Sequence, residues 1–433
     1  MAIQALLVIL AVLLVLLFLG VPISYAIAVS SLTAILSSID LNVAVLTAAQ
    51  RTFVGMSKFS LTAIPFFILA GNIMNQGGIA KRLVDFVMAI LGKLPGALLV
   101  TNIGTNALFG AISGSASAAA AAVGSMIRDG AEEQGYDPAV TAATNAASSC
   151  SGLLIPPSNA LITYSLASGG TSVAALFMAG YIPGIIWALC CCVVGVLLAV
   201  KLGYKGTPGK FDWKNLGVCT LRALPSLSLI IVVIGGIIGG VFSATEGSAI
   251  AVVYALILAF CYRSINLKSL WKIIVDSAKM SGMVVFLVGV SNILGWVMAF
   301  LQIPDAVAAA LLSLTSNKYI ILLIMNVILL ISGTFMDVTP AILIFTPLFL
   351  PICQSFGMST IQFGLILVYN LCIGNITPPV GNALFVGIKV GRTSLSKVMP
   401  YMLMYYVAII GGLLLVTFIP AVSMALPQAM GLV

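Results

Sequence analysis

SCSGLLIPPSNAL (residues 149–161) returns as NLCIGNITPPVGNAL (residues 370–384) in a chain that is otherwise almost all hydrocarbon. Each copy sets Gly, then Pro-Pro, then Asn inside an apolar stretch. Proline has no amide N–H and its ring crowds the preceding turn, so a helix must break there. Within a bilayer a break survives only where protein or a water-filled cavity satisfies the freed backbone groups. Two breaks, one in each half of the chain, point to a binding site at mid-membrane.

The surrounding composition sets the class. Of 433 residues, 61% are hydrophobic and 7% charged, with mean hydropathy +1.21. Soluble proteins carry about 25% charged residues, and no polar stretch here is long enough to build a soluble domain. The apolar runs last roughly 20 residues, the length of a spanning helix, unlike the short alternating segments of a barrel. The chain reads as an all-α polytopic membrane protein whose environment is membrane lipid. Residues 5–19 lack a basic flank and a cleavage site, so they read as a retained span.

Further matches extend the repeat. Gly20-Val21 aligns with Gly240-Val241 and FFILAGN (66–72) with FLVGVSN (286–292), both offset by 220. ISG (112–114) aligns with ISG (331–333), and Pro156-Pro157 with Pro378-Pro379. Ordered matches at a nearly constant offset argue for a duplicated unit. Each unit is expected to hold five spans and one re-entrant hairpin. The first, residues 1–200, has spans at about 5–21, 23–40, 61–77, 138–167 (broken) and 172–200, with its hairpin at about 95–126. A basic cytoplasmic linker covers 201–222. The second unit, 223–433, has spans at about 224–241, 246–262, 281–301, 361–388 (broken) and 399–425, with its hairpin at about 305–350. An odd number of crossings inverts one copy relative to the other.

Charge supports this partition. With the N-terminus outside, only Arg51, Lys58 and Lys318 of the 19 basic residues fall outside, as the positive-inside rule requires. Making either hairpin a full crossing spoils the partition. The net charge of +8 then reflects cytoplasmic loops and implies no nucleic acid. The segments 41–59 and 262–280 occupy matching places. The second mixes Leu267, Leu270, Trp271 and Ile274 with Lys268, Lys272 and Lys279, a pattern for an amphipathic helix in the interface plane.

Candidate chemistry clusters at the tips and breaks. SGSAS (113–117) offers Ser113, Ser115 and Ser117, whose hydroxyls and exposed carbonyls are hard donors suited to Na⁺; small residues there also serve packing. SGTFMDVTP (332–340) holds Gly333, Thr334 and Asp337. An intramembrane carboxylate is costly and functional by default; Asp337 reads as a Na⁺ ligand, with proton carriage or helix capping as alternatives. Carbonyls of Gly152, Ile155, Gly374 and Thr377, beside Pro156 and Pro378, are expected to be unpaired and able to hold a cation. Amides near Asn159 and Asn382 would favour a carboxylate. Glu246 reads as a helix-start carboxylate, and GGIIGG (235–240) as helix-packing glycine. Absent histidine and metal-ligand cysteine spacing exclude haem and zinc, absence of a Walker motif excludes ATP hydrolysis, and no nucleophile–base set suggests an enzyme.

GLLIPPSN, GNITPPVGN and SGTFMDVTP, with the chain length and basic linker, resemble the large membrane subunit of TRAP (tripartite ATP-independent periplasmic) transporters. The resemblance covers essentially the whole chain. It implies an elevator-type transporter of the bacterial inner membrane, with flanking helices as scaffold and the hairpins and broken helices as transport domain. It implies Na⁺-driven import of a small-molecule carboxylate such as a sialic acid or four-carbon dicarboxylate. The implied partners are a small four-helix membrane subunit, separate here because the N-terminal extension of fused members is missing, and a periplasmic substrate-binding protein. One Na⁺ site would join Ser113 and Ser115 to the 152–156 break. The other would join Gly333, Thr334 and Asp337 to the 374–378 break. Substrate would lie between them, against Ser117, Asn159 and Asn382. No arginine falls within a span, so amides, hydroxyls and bound Na⁺ are the expected carboxylate partners. The alternatives are a self-sufficient sodium/carboxylate symporter of related elevator type and an ion channel.

Overall fold

Capping residues and prolines cut the apolar chain into helices. The structure, a computed structural model, describes residues 2–206, 212–315 and 317–433, and every regular element among them is helical. The first half contains α1 (Ala2–Phe18), α2 (Ile23–Ile35), α3 (Leu41–Met56), α4 (Ala63–Gln76), α5 (Ile79–Leu91), α6 (Ala97–Ser113), α7 (Ala116–Glu133), α8 (Pro138–Ser149), α9 (Ser151–Leu154), α10 (Asn159–Ala167) and α11 (Val173–Leu202). The second contains α12 (Trp213–Ile238), α13 (Ala244–Cys261), α14 (Leu267–Phe300), α15 (Ile303–Leu314), α16 (Lys318–Gly333), α17 (Val338–Ser355), α18 (Thr360–Asn375), α19 (Asn382–Val390), α20 (Leu395–Phe418) and α21 (Pro420–Ala429). Asp137 shows how a start is set. Its carboxylate accepts from the Ala139 amide at 2.8 Å, with Pro138 in the first turn where no N–H is needed.

Two packing groups emerge. The hairpin α6–α7, the broken helix α8–α10, the hairpin α16–α17 and the broken helix α18–α19 pack on one another, with α11 and α20 against them. Helices α1–α4 pack with α12–α14 as a flanking group, and α5 bridges α12 to α6. The broken helices form the centre: all of Ile361–Asn375 in α18 is buried. The outside is apolar. Ile185, Leu189, Val193, Leu197 and Val200 of α11 are all exposed. Their three- and four-residue spacing makes one stripe, the face a helix turns to lipid. Six helices are long and apolar enough to cross a membrane among the described residues, or seven if α3 with the bent segment 59–76 is one span. The chain is a multi-pass membrane protein.

Several boundaries differ from the sequence expectation. The hairpin expected at 305–350 is α16–α17, residues 318–355, and α15 is a separate helix before it. Helix α15 ends at Leu314 and α16 starts at Lys318, where the Asn317 side chain accepts from the Tyr319 amide at 2.9 Å. The in-plane helix expected at 262–280 is instead the start of α14, which continues for 34 residues. Nothing at Met280-Ser281-Gly282 stops it, whereas its first-half counterpart bends by 60° beyond Met56. The linker expected at 201–222 shortens, because Asp212 caps the amides of Lys214 and Asn215 at 3.0 Å each and α12 begins at Trp213. Lys210 lies outside the described residues. The span expected at 23–40 ends at Ile35, and that at 399–425 is divided at Pro420 into α20 and α21. Of GGIIGG, only part packs: an added Cβ at Gly236 would strike the Phe242 ring, while Gly235 faces open space.

Candidate functional site

Each Pro-Pro step makes two half-helices. At the first, α9 stops at Leu154, both prolines are buried and joined by a cis bond, and α10 starts at Asn159. Ser158 repairs part of the damage: its hydroxyl donates to the Leu153 carbonyl and accepts from the Leu161 amide at 3.4 Å. Position 156, four residues past Gly152, brings no N–H, and the Gly152 and Ile155 carbonyls accept no hydrogen bond among the described residues. At the second step, also cis, Thr377 donates its hydroxyl to the Ile373 carbonyl at 2.6 Å. Its amide donates to the Gly374 carbonyl at 2.9 Å. The expectation that Gly374 offers a free carbonyl is therefore corrected; the Thr377 carbonyl remains without a donor among the described residues.

Glycine lets each hairpin close on its break. A Cβ on Gly152 would lie 2.2 Å from the Gly110 Cα, and one on Gly374 would lie 2.4 Å from the Gly333 carbonyl carbon. Backbone therefore meets backbone at both crossings, as small residues allow in membranes. Gly114 takes φ +60° to end α6, and a Cβ there would stand 3.1 Å from the Asn159 side-chain nitrogen. The Thr334 carbonyl accepts from the Val380 amide at 3.1 Å. Asp337 occupies the residue before α17 yet caps no amide. Its Oδ1 accepts from Asn382 Nδ2 at 3.1 Å instead, which sets the capping alternative aside.

Tips and half-helix starts meet at a cavity of about 530 Å³. Ser115, Ser117, Asn159, Asp337 and Asn382 all line it. Ser113 lines an adjoining space of about 250 Å³ together with Ser115, Ser117 and Asn159. Gly152, Ile155, Pro156, Gly333, Thr334, Gly374, Thr377 and Pro378 line neither; of these, Gly152, Gly333 and Gly374 form the crossings just described.

Three features were not assigned from sequence. Asn375, 6% exposed, lines the cavity with an Oδ1 that has no donor, as does the Oδ1 of Asn159. Buried oxygens without donors favour a cation or a donor on a bound solute. Lys389, in the last turn of α19, is the one cationic side chain on the wall, beside the expected amides and hydroxyls. No ion pair among the described residues joins it to Asp337. Finally, buried asparagines tie hairpin to broken helix. Asn106 donates to Asn145 at 3.1 Å and to Ser148 at 2.9 Å, and Asn370 donates to Asn326 at 2.8 Å. Glu246 stays outside the site, in a capping box with Ser243.

The wall is chemically divided. Its polar groups all come from the hairpins and broken helices, while α4 and α14 contribute Ile64, Ile68, Met280 and Val284. No cluster of three His, Cys, Asp or Glu is present among the described residues, so the donors on offer are hydroxyl, amide and carbonyl oxygens with one carboxylate.

Comparison with known proteins places this architecture. The profile described as "Tripartite ATP-independent periplasmic transporter, DctM component" matches residues 10–422. "Uncharacterized protein YgiK" of Salmonella typhimurium is 50% identical across 94% of this chain and 94% of its own length. The protein named "C4-dicarboxylate TRAP transporter large permease protein DctM" of Pseudomonas aeruginosa is 36% identical across 93% of each. Among solved structures, the Alcanivorax borkumensis YdaH transporter shares the fold, with TM-score 0.64, 14% identity and 88% of each chain covered.

Proposed function

The chain belongs to the DctM component of the tripartite ATP-independent periplasmic transporters, and from that premise we propose that it imports a carboxylate-bearing organic anion by Na⁺ symport. It is a component of secondary transport of organic acids, not an enzyme. The solute class we favour is a four-carbon dicarboxylate, in line with the name of the Pseudomonas aeruginosa relative; sialic acids are the second candidate. The solute would arrive from a periplasmic binding protein, and a small four-helix subunit would complete the assembly in the bacterial inner membrane. The N-terminus would face the periplasm.

The observation that carries this reading is the divided wall. In the larger cavity α4 and α14 offer no hydrogen-bonding side chain; in the adjoining space α4 brings Asn72, whose side-chain amide donates to Ser277 of α14 at 2.8 Å and so stays within the flanking group. A cavity whose polar groups all sit on one packing group, against Ile64, Ile68, Met280 and Val284 of the other, can travel with that group without parting side-chain hydrogen bonds across that wall. That is the physical requirement of an elevator, with the hairpins and broken helices as the moving part.

Roles follow from chemistry. The free carbonyls of Gly152 and Ile155, with the Ser113 and Ser115 hydroxyls, suit one Na⁺. Asp337, the Thr377 carbonyl and Asn375 Oδ1 suit a second. The starts of α10 and α19, at Asn159 and Asn382, present amides toward a carboxylate. Lys389 supplies a counter-charge at the far end of α19. Asp337→Asn tests the reading. It keeps the Asn382 side without clash and removes the charge, so Na⁺-driven uptake should vanish from a folded, membrane-inserted protein. Wild-type uptake by that variant would remove Asp337 from the site.

A further inference from the structure

A second cavity, of about 350 Å³, lies beside the first and holds Arg51 and Lys58. No carboxylate lines it. Among the described residues neither cation has an ion-pair partner; the Arg51 guanidinium stands 5.7 Å from the centre of the Trp296 ring. With the N-terminus facing the periplasm, as in the reading above, these are two of the three basic residues that fall on the outer side. Positive charge on the outer side opposes the orienting rule, so its retention at two positions lining one cavity asks for a use.

Position supplies one. Three helices line both cavities in succession: α14 passes from Val284 to Val288, α17 from Thr339 to Leu343, and α10 from Thr163 to Leu166. A step of four residues along a helix is about 6 Å. Only one helical turn therefore separates the Arg51–Lys58 cavity from the Asn159–Asn382 cavity, along the same seam between the flanking and central groups. The first cavity runs down α19 to Lys389, a residue on the inner side of the charge partition, so the second occupies the outer end of the path.

We propose that Arg51 and Lys58 form an outer anion-capture site, which takes the carboxylate of a small organic anion before it reaches the mid-membrane site. This rests on the import reading above. Two unneutralised cations within low-dielectric walls focus field and raise the local concentration of an anion. Ser291 and Asn292 on α14 add hydroxyl and amide groups to the same wall. The ligand is an aqueous solute rather than a lipid phosphate, because the cavity is walled by α3, α10, α14 and α17, where the flanking group meets the central one.

Trp296 makes the test direct. In the intact assembly in phosphatidylcholine nanodiscs, iodide (anionic) and acrylamide (neutral) are compared as quenchers of the emission lost on Trp296→Phe. The proposal predicts that iodide quenches several-fold better relative to acrylamide than it does in an Arg51→Gln/Lys58→Gln double variant, and that millimolar succinate relieves the excess. In proteoliposomes the double variant should raise the KM for transported solute about tenfold and flatten its salt dependence. Equal quenching ratios in wild type and double variant would overturn the proposal. So would quenching relieved by phosphatidylglycerol but by neither succinate nor N-acetylneuraminate, which would give the patch to lipid. A transport defect with normal quenching would overturn it in favour of docking by the binding protein. Because quenching needs no turnover, an assembly that moves no organic anion would refute the import reading without deciding the quenching result.

Discussion

Gly152→Ala should disable the first cation site without unfolding the chain. The added Cβ would come within 2.2 Å of the Gly110 Cα and 2.4 Å of its carbonyl carbon, where ordinary contact begins at 3.4 Å. Both offending atoms are backbone, so no side chain can swing away. Helix α6 must retreat by about 1.2 Å, and overpacking of this kind costs about 1–3 kcal/mol. The retreat carries Ser113 and Ser115 away from the free Gly152 and Ile155 carbonyls, and ion sites tolerate only about 0.5 Å of misplacement. If the cost falls on the cation-bound state, Na⁺ half-saturation of uptake should rise by about 5- to 150-fold. The assay is initial uptake in proteoliposomes against external Na⁺, with melting temperature as the fold control. Gly411→Ala is the internal standard: its Cβ meets nothing within 4 Å, and it should leave both readouts unchanged. A Gly152→Ala protein with the wild-type Na⁺ curve would refute the claim that tip and break act together.

Three more outcomes follow from named contacts. Lys389→Gln should raise the KM for a dicarboxylate by about tenfold, with Lys389→Arg restoring most of it; identical KM values in all three proteins would take Lys389 off the solute. Asn370→Ala removes the donor to Asn326 at 2.8 Å, which should cost about 1 kcal/mol and lower the melting temperature while solute preference stays the same; an unaltered melt would show the hairpin is held otherwise. Glu246→Gln loosens the capping box at Ser243 and should leave Na⁺-driven uptake intact, and any loss of Na⁺ dependence would bring Glu246 into the transport cycle.

The elements that break a local rule were the ones legible in the chain. Proline pairs in apolar runs announce themselves, and so does a carboxylate in SGTFMDVTP; each is costly unless the fold supplies a reason. Five predicted site residues accordingly meet at one cavity. What stayed hidden depends on register. Lys389 looks like a loop cation until α19 is known to start at Asn382. Then Asn382, Phe385, Val386 and Lys389 fall on one face, spaced as a helix requires, and all four line the cavity. Asn375 hides in the same way, because the fate of its Oδ1 depends on where α18 stops. The Asn106–Asn145 and Asn326–Asn370 pairs join helices whose contact no local pattern encodes. The α14 start was misplaced because charge among apolar residues fits an interface helix as well as the end of a long span.

The central claim is that a Na⁺ gradient moves an organic anion through the cavity between the two hairpin tips. The most direct measurement is accumulation of labelled succinate or N-acetylneuraminate in proteoliposomes of the assembly, with membrane potential clamped and either Na⁺ or K⁺ as the imposed gradient. The account predicts uptake above equilibrium with inward Na⁺ and none with inward K⁺. Equal accumulation under both gradients would contradict it.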